Sequence, residues 1–114
     1  MAFDDSHADS WRMCLASLGY EEGPISEKKM FGGLCFFLHG NMLGGIGGIS
    51  STSFLFRVGK VLEAEVVETF GAEPAVFSGR KMGGLVFVEI DQALKQLPEL
   101  MDYCLRFSSS LPPK

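Results

Sequence analysis

Apolar residues recur at helical spacing near the start of the chain: Ala8, Trp11, Cys14, Leu15 and Leu18 share one side of a 3.6-residue period. The pattern predicts a first helix over Ser6 to Leu18, opened by a capping arrangement of Ser6 with Asp9 and stopped at Gly19. Glu22-Gly23-Pro24 reads as loop, and Ile25 to Met30 can run extended. Leu34 to Leu38 reads as a strand from its aromatic content, with Met42 to Ile46 as its return. Gly40-Asn41 between them carries a two-residue hairpin signal, because glycine supplies the positive φ that such a turn needs.

The glycines and serines that follow, Gly44, Gly45, Gly47, Gly48 and Ser50 to Ser53, read as a connecting loop. Phe54, Phe56 and Val58 then alternate with Leu55 and Arg57, which predicts a strand over Ser53 to Val58. Leu62, Val66, Val67 and Phe70 line one side of a second helix over Lys60 to Phe70, with Gly71 placed as its C-cap. Ala75 to Phe77 is a short extended segment and Ser78-Gly79-Arg80 a turn. Leu85 to Ile90 is a strand apolar on both sides, as an interior strand would be. Asp91 caps a short turn through Leu97, and Pro98 suits the first turn of a last helix whose face carries Leu97, Met101, Cys104, Leu105 and Ser108. The tail SSSLPPK reads as a loose end. The order α-β(3)-α-β(2)-α gives an α+β domain, an antiparallel sheet of about five strands packed by helices, with residues 1–114 as one domain.

Composition narrows the partners. Apolar residues make up 46% of the 114, against 21% charged, so the chain has the material for a core. A domain this small has little interior in which to hide so many apolar side chains, and a homodimer is expected to cover some of them. The net charge of −4 argues against duplex DNA as a direct partner, because non-specific affinity for phosphates is built from lysine and arginine. The N-terminus is acidic and lacks a basic, then apolar leader, and the longest apolar run, Leu34 to Leu38, is too short to cross a bilayer. A cytoplasmic protein without membrane contact is the expectation.

Candidate chemistry is sparse. Cys14, Cys35 and Cys104 have no C-x-x-C pairing, which predicts neither zinc nor a disulfide framework, and Cys35 among Leu34, Phe36 and Phe37 reads as a buried thiol. His7 and His39 have no second ligand at a motif spacing. The glycine run matches neither G-x-G-x-x-G nor G-x-x-x-x-G-K-[ST], so it is no phosphate loop. No catalytic residue, metal or cofactor is therefore assigned. One set remains: six of the ten Lys and Arg residues lie between Lys28 and Lys81. Lys28, Lys29, Arg57, Arg80 and Lys81, with Lys60, would form a basic binding patch if the strand ends they border converge, and would otherwise be solvated residues guarding sheet edges. Such a patch would serve a protein partner or, as the alternative, a small anion or nucleotide.

Two basic stretches run through paired glycines into apolar strands, KKMFGGLCFFLHGNM and RKMGGLVFV. Gly32, Gly33, Gly40, Gly83 and Gly84 read as structural, allowing a turn, a bulge or close backbone packing. Together with LFRVG, FSGRKMGGLVFV and the terminal SSSLPPK, these stretches resemble the TfoX N-terminal domain family, related to a bacterial competence regulator; Met30-Phe31-Gly32-Gly33 followed by Gly40-Asn41-Met42 is the most specific part. The resemblance implies an α+β domain with an antiparallel sheet, a regulatory setting and no agreed catalytic residues. The chain stops after Leu111-Pro112-Pro113-Lys114, so the second domain of the full-length regulator is not expected here. Taken together, the readings predict a non-enzymatic domain that mediates protein contacts through an unidentified partner.

Overall fold

The computed structural model describes residues 3–20, 23–30, 32–48 and 50–113; Glu22, Phe31 and Lys114, named above, lie outside them. Among the described residues the chain forms four helices and six strands. The order is α1 (Asp5–Ser17), β1 (Ile25–Met30), β2 (Gly33–Leu38), β3 (Asn41–Gly47), β4 (Ser53–Arg57), α2 (Glu63–Phe70), β5 (Glu73–Phe77), β6 (Arg80–Glu89), α3 (Ile90–Lys95) and α4 (Leu97–Ser109). The strands form one antiparallel sheet ordered β1-β2-β3-β4-β6-β5. The α+β class and the antiparallel sheet match the expectation, with six strands in place of about five.

Two neighbouring rows of paired residues cross the whole sheet. Glu27, Phe36, Gly44, Phe56, Val86 and Pro74 make one row, and Lys28, Cys35, Gly45, Leu55, Phe87 and Glu73 the next. Successive residues of a strand point to opposite faces, so the first row faces the helices and the second faces away from them. The core follows the first: Leu34, Phe36, Leu38, Phe54, Phe56, Val86 and Val88 pack with Trp11, Val66, Phe70, Leu100 and Met101 from the helices. At the β1 edge, Glu27 accepts a two-pronged ion pair from Arg12 of α1, at 2.7 and 2.8 Å, the planar fork geometry that makes such pairs directional.

Gly44 explains the largest departure from the sequence reading. Gly44 and Gly45 fall both in the returning strand Met42 to Ile46 and in the loop read after it; they and Gly47 are strand, because they leave room that an aromatic side chain fills. Trp11 is fully buried and stacks on Phe36 at 5.0 Å and on Phe56 at 5.1 Å, the two residues that flank Gly44 in its row. A Cβ on Gly44 would lie 3.0 Å from the Trp11 ring and 2.1 Å from the Leu55 carbonyl oxygen. A local composition rule reads glycine as a loop signal and cannot see the indole above it.

Smaller corrections follow from local chemistry. The β2–β3 hairpin turns on His39-Gly40, both at positive φ, rather than on Gly40-Asn41, and Asn41 opens β3. Helix α1 is capped by Asp4, whose carboxylate accepts from the Ser6 amide at 2.8 Å, in place of Ser6 with Asp9. The second helix starts at Glu63 and ends, as read, with Gly71 in the left-handed conformation. The turn after β5 is Ser78-Gly79, so Arg80 already pairs with Phe77 and β6 begins five residues earlier than Leu85. The segment after it is a true helix, α3, rather than a single turn. The C-terminal tail is tethered: the buried Asn41 side chain donates to the Pro112 carbonyl at 2.9 Å, a bond that satisfies an otherwise costly buried amide.

Candidate functional site

The sheet order separates the basic residues. Lys28 and Lys29 lie on β1 at one edge, while Arg80 and Lys81 open β6 on the far side, four strand spacings or roughly 19 Å away. They also lie toward opposite ends of the strands: from the row containing Glu27 and Val86, β1 runs one way to Lys28 and β6 runs the other way to Arg80. Even neighbours diverge. Glu27 and Lys29 point toward the helices and Lys28 away from them, by the alternation of the strand.

Several of these cations are engaged locally. The Arg57 guanidinium lies 5.2 Å from the centre of the Phe107 ring. Lys81 bonds the Glu63 carboxylate at 2.7 Å, and the other Glu63 oxygen accepts from the Gly84 amide at 2.7 Å. Those two bonds, Lys81 first, hold the Glu63 carboxyl below its ordinary pKa. Gly84 sits at a positive φ of 85° in an irregular stretch of β6, and its carbonyl accepts from both Val58 and Gly59. The pair Gly83-Gly84 thus forms a bulge inside a strand, where α2 and the end of β4 dock onto it. Gly32 and Gly33 sit at the start of β2, where a Cβ on Gly33 would lie 2.3 Å from the Ile46 carbonyl oxygen. The five cations therefore supply no single concave site.

Next to this bulge a cleft of about 400 Å³ opens between the 58–62 connection and the end of α4, lined by Val58, Lys60, Val61, Leu62, Arg106 and Phe107. Its wall is apolar and one of its two cations is committed: Arg106 pairs with Asp102 at 3.0 Å and lies over the Tyr103 ring. No carboxylate, thiol or imidazole lines it.

Nucleophilic and metal chemistry find no support elsewhere among the described residues. All three cysteines are free and buried, and burial pushes the thiols up, Cys14 to about 11 and Cys35 and Cys104 in the same direction. His7 packs edge-on against Phe54 at 5.3 Å, and His39 is spent on its turn. No group of three or more His, Cys, Asp and Glu residues among the described residues could hold a metal ion. No helix of the described residues is long and apolar enough to cross a membrane.

The feature that sequence reasoning missed is the face of the sheet turned away from the helices. Cys35 and Leu55, both buried, lie at its centre beside the half-buried Phe87, and Phe77 meets Phe87 edge to face at 6.1 Å. A shallow depression opens over Gly45, walled by Met30, Cys35, Leu55 and Phe87, with every lining residue drawn from strands. Lys28 and Glu73, both exposed, end this row at the two edges. The signal was present in β6, whose two apolar sides read as burial on both. One of them meets the helical core, and the other is this open face.

Comparison with curated proteins and with solved structures finds no match. A family match does exist and takes in all six strands: residues 15–110 match the TfoX N-terminal domain. It spans every element from the end of α1 through α4, the same residues that build the open face and the bulged β6, and on that extent the chain belongs to the TfoX N-terminal domain family.

Proposed function

We propose that this protein is a non-catalytic, regulatory-type domain that acts through protein contacts in the cytoplasm, and that its contact surface is the open face of the sheet. The observation that carries the reading is the set of half-buried apolar side chains on that face, Met30, Phe77 and Phe87, around a small depression lined only by strand residues, with Cys35 and Leu55 buried beneath them. An antiparallel sheet facing water on one side ordinarily alternates apolar with polar residues, and here the outward positions of the interior strands include Cys35, Leu55 and Phe87. Buried thiols with raised pKa values supply no nucleophile, and three free cysteines suit a reducing compartment.

The test is affinity capture from a lysate of the parent organism with identification by mass spectrometry, comparing wild type, Phe87→Glu and the helical-side control Lys95→Glu. Proteins retained by wild type and by Lys95→Glu but lost with Phe87→Glu support the reading. A retained set that Phe87→Glu leaves unchanged, with its fold intact by circular dichroism, overturns it.

A further inference from the structure

Apart from the open face, we infer that the cleft between the 58–62 connection and the end of α4 binds a small molecule that joins an apolar body to one carboxylate. Its volume of about 400 Å³ falls within the roughly 300–1,000 Å³ usual for small-ligand pockets. Val61, one of its lining residues, is 93% exposed, an apolar side chain left in water, and Leu62 and Phe107 beside it are half-buried. The lining comes from two short segments. That leaves room for a small molecule without the long apolar stripe that a docked helix requires.

Two glycines shape its wall and its charge. Gly59 has a φ of 87°, and a Cβ there would lie 2.5 Å from the Phe107 ring, so the bare backbone lets the ring close against the loop. A Cβ on Gly83 would lie 2.7 Å from Lys60 Cε, so the first glycine of the bulge makes the bed on which the Lys60 stem rests. Lys60 is exposed and pairs with no carboxylate among the described residues. Arg57, likewise without an ion pair among them, stands 5.2 Å from the centre of the Phe107 ring and adds positive potential. Apolar walls beside one uncommitted ammonium are complementary to an amphipathic anion. A phosphate would ask for more donors than these. The Val58 and Gly59 amides are both spent on the Gly84 carbonyl, the Ser110 hydroxyl donates to the Phe107 carbonyl at 2.6 Å, and Arg106 is held by Asp102. A carboxylate needs one cation, and Lys60 offers it.

Heteronuclear NMR titration of the full chain with 3-phenylpropionate and with octanoate tests this, with 3-phenylpropanol as the uncharged match and phenyl phosphate as the dianion. Ligands of about ten non-hydrogen atoms should saturate with a Kd of about 0.1–1 mM and shift the amides of residues 58–62 and 106–110. The alcohol should bind roughly threefold to tenfold more weakly than the acid, and Lys60→Gln should weaken the acid by the same factor, as loss of one exposed charge pair implies. Val61→Glu sets a carboxylate in the cleft and should weaken the acids about tenfold or more. Both positions are exposed, and thermal unfolding confirms that the variants fold. If neither acid saturates by about 10 mM, or the shifts centre elsewhere, the inference is overturned. An acid affinity that Lys60→Gln leaves within about twofold overturns it too, as does equal weakening by Lys28→Gln at the β1 edge. So does an alcohol that binds as tightly as the acid, or phenyl phosphate bound more tightly than both carboxylates.

Discussion

Gly44→Ala is expected to unsettle this fold more than any change at a glycine of a turn. The backbone at Gly44 is not in the positive-φ region, so alanine meets no conformational barrier there, and the usual gain from replacing a strand glycine is about 0.5–1 kcal/mol. Against that gain stands the added Cβ, 2.1 Å from the Leu55 carbonyl oxygen and 3.0 Å from the Trp11 ring. A carbon rests about 3.3 Å from a carbonyl oxygen, so roughly 1.2 Å of overlap must be relieved. A flexible side chain could swing aside, but Leu55 presents backbone held in the ladder between β3 and β6. Overpacking of a core costs about 1–3 kcal/mol, and the rigid partner puts this case at or above the upper end, for a net loss of about 2–3 kcal/mol. For a domain of this length that is a fall in Tm of about 8–12 °C. Urea unfolding and thermal circular dichroism measure it, and the near-ultraviolet signal of Trp11, the single tryptophan, should change with it. Gly71→Ala is the control: it has a positive φ of 66° and no atom within 4 Å of a Cβ, so it should lose only about 1 kcal/mol and leave the tryptophan signal alone. If Gly44→Ala lies within about 0.5 kcal/mol of wild type, or loses less than Gly71→Ala, the account of β3 as a strand emptied for the indole is wrong.

Glu63→Gln should destabilise the domain by about 1.5–3 kcal/mol near pH 7, because the carboxylate bonds Lys81 and the Gly84 amide. The folded pKa of Glu63 is depressed, so its contribution is present above the unfolded value of 4.5 and is lost as pH falls through the folded one. The stability gap between wild type and Glu63→Gln, followed by urea unfolding, should therefore be constant from pH 8 to about 5 and shrink below about 4.5; a gap unchanged at pH 3 would refute the assignment. The three cysteines should resist an aromatic disulfide reagent at pH 7.5 in the folded protein and all react in urea, since each is buried and its thiol pKa is raised. Rapid labelling of Cys35 in the native state would reopen a catalytic reading.

The elements that periodicity determines were legible in the sequence. Trp11, Cys14 and Leu15 share a helical face whatever lies beneath them, and Phe54, Phe56 and Val58 share a strand face, because the spacing of side chains around a helix or along a strand is a local property. The C-cap at Gly71 was legible for the same reason, being a matter of one residue's φ. The hairpin turn needed one more fact, that two consecutive residues must be left-handed, and His39 accepts that role beside Gly40.

Strand order was not in the sequence, and the candidate site depended on it. Whether Lys28 and Arg80 converge is decided by which strands are neighbours, and β1 and β6 stand four places apart. The glycines of β3 are strand because Trp11, more than thirty residues away, occupies the volume that side chains at Gly44 would fill. The two apolar sides of β6 were visible as a pattern, but four helices suffice to cover only one face of a six-stranded sheet, and where they sit is fixed by the core they share. Which residues are apolar, where helices and most strands run, and which turns are sharp follow from local chemistry along the chain. The register that carries Lys28 and Glu73 to opposite ends of one row comes from the assembled sheet, since register arises from pairing between distant segments and leaves no mark on either segment alone.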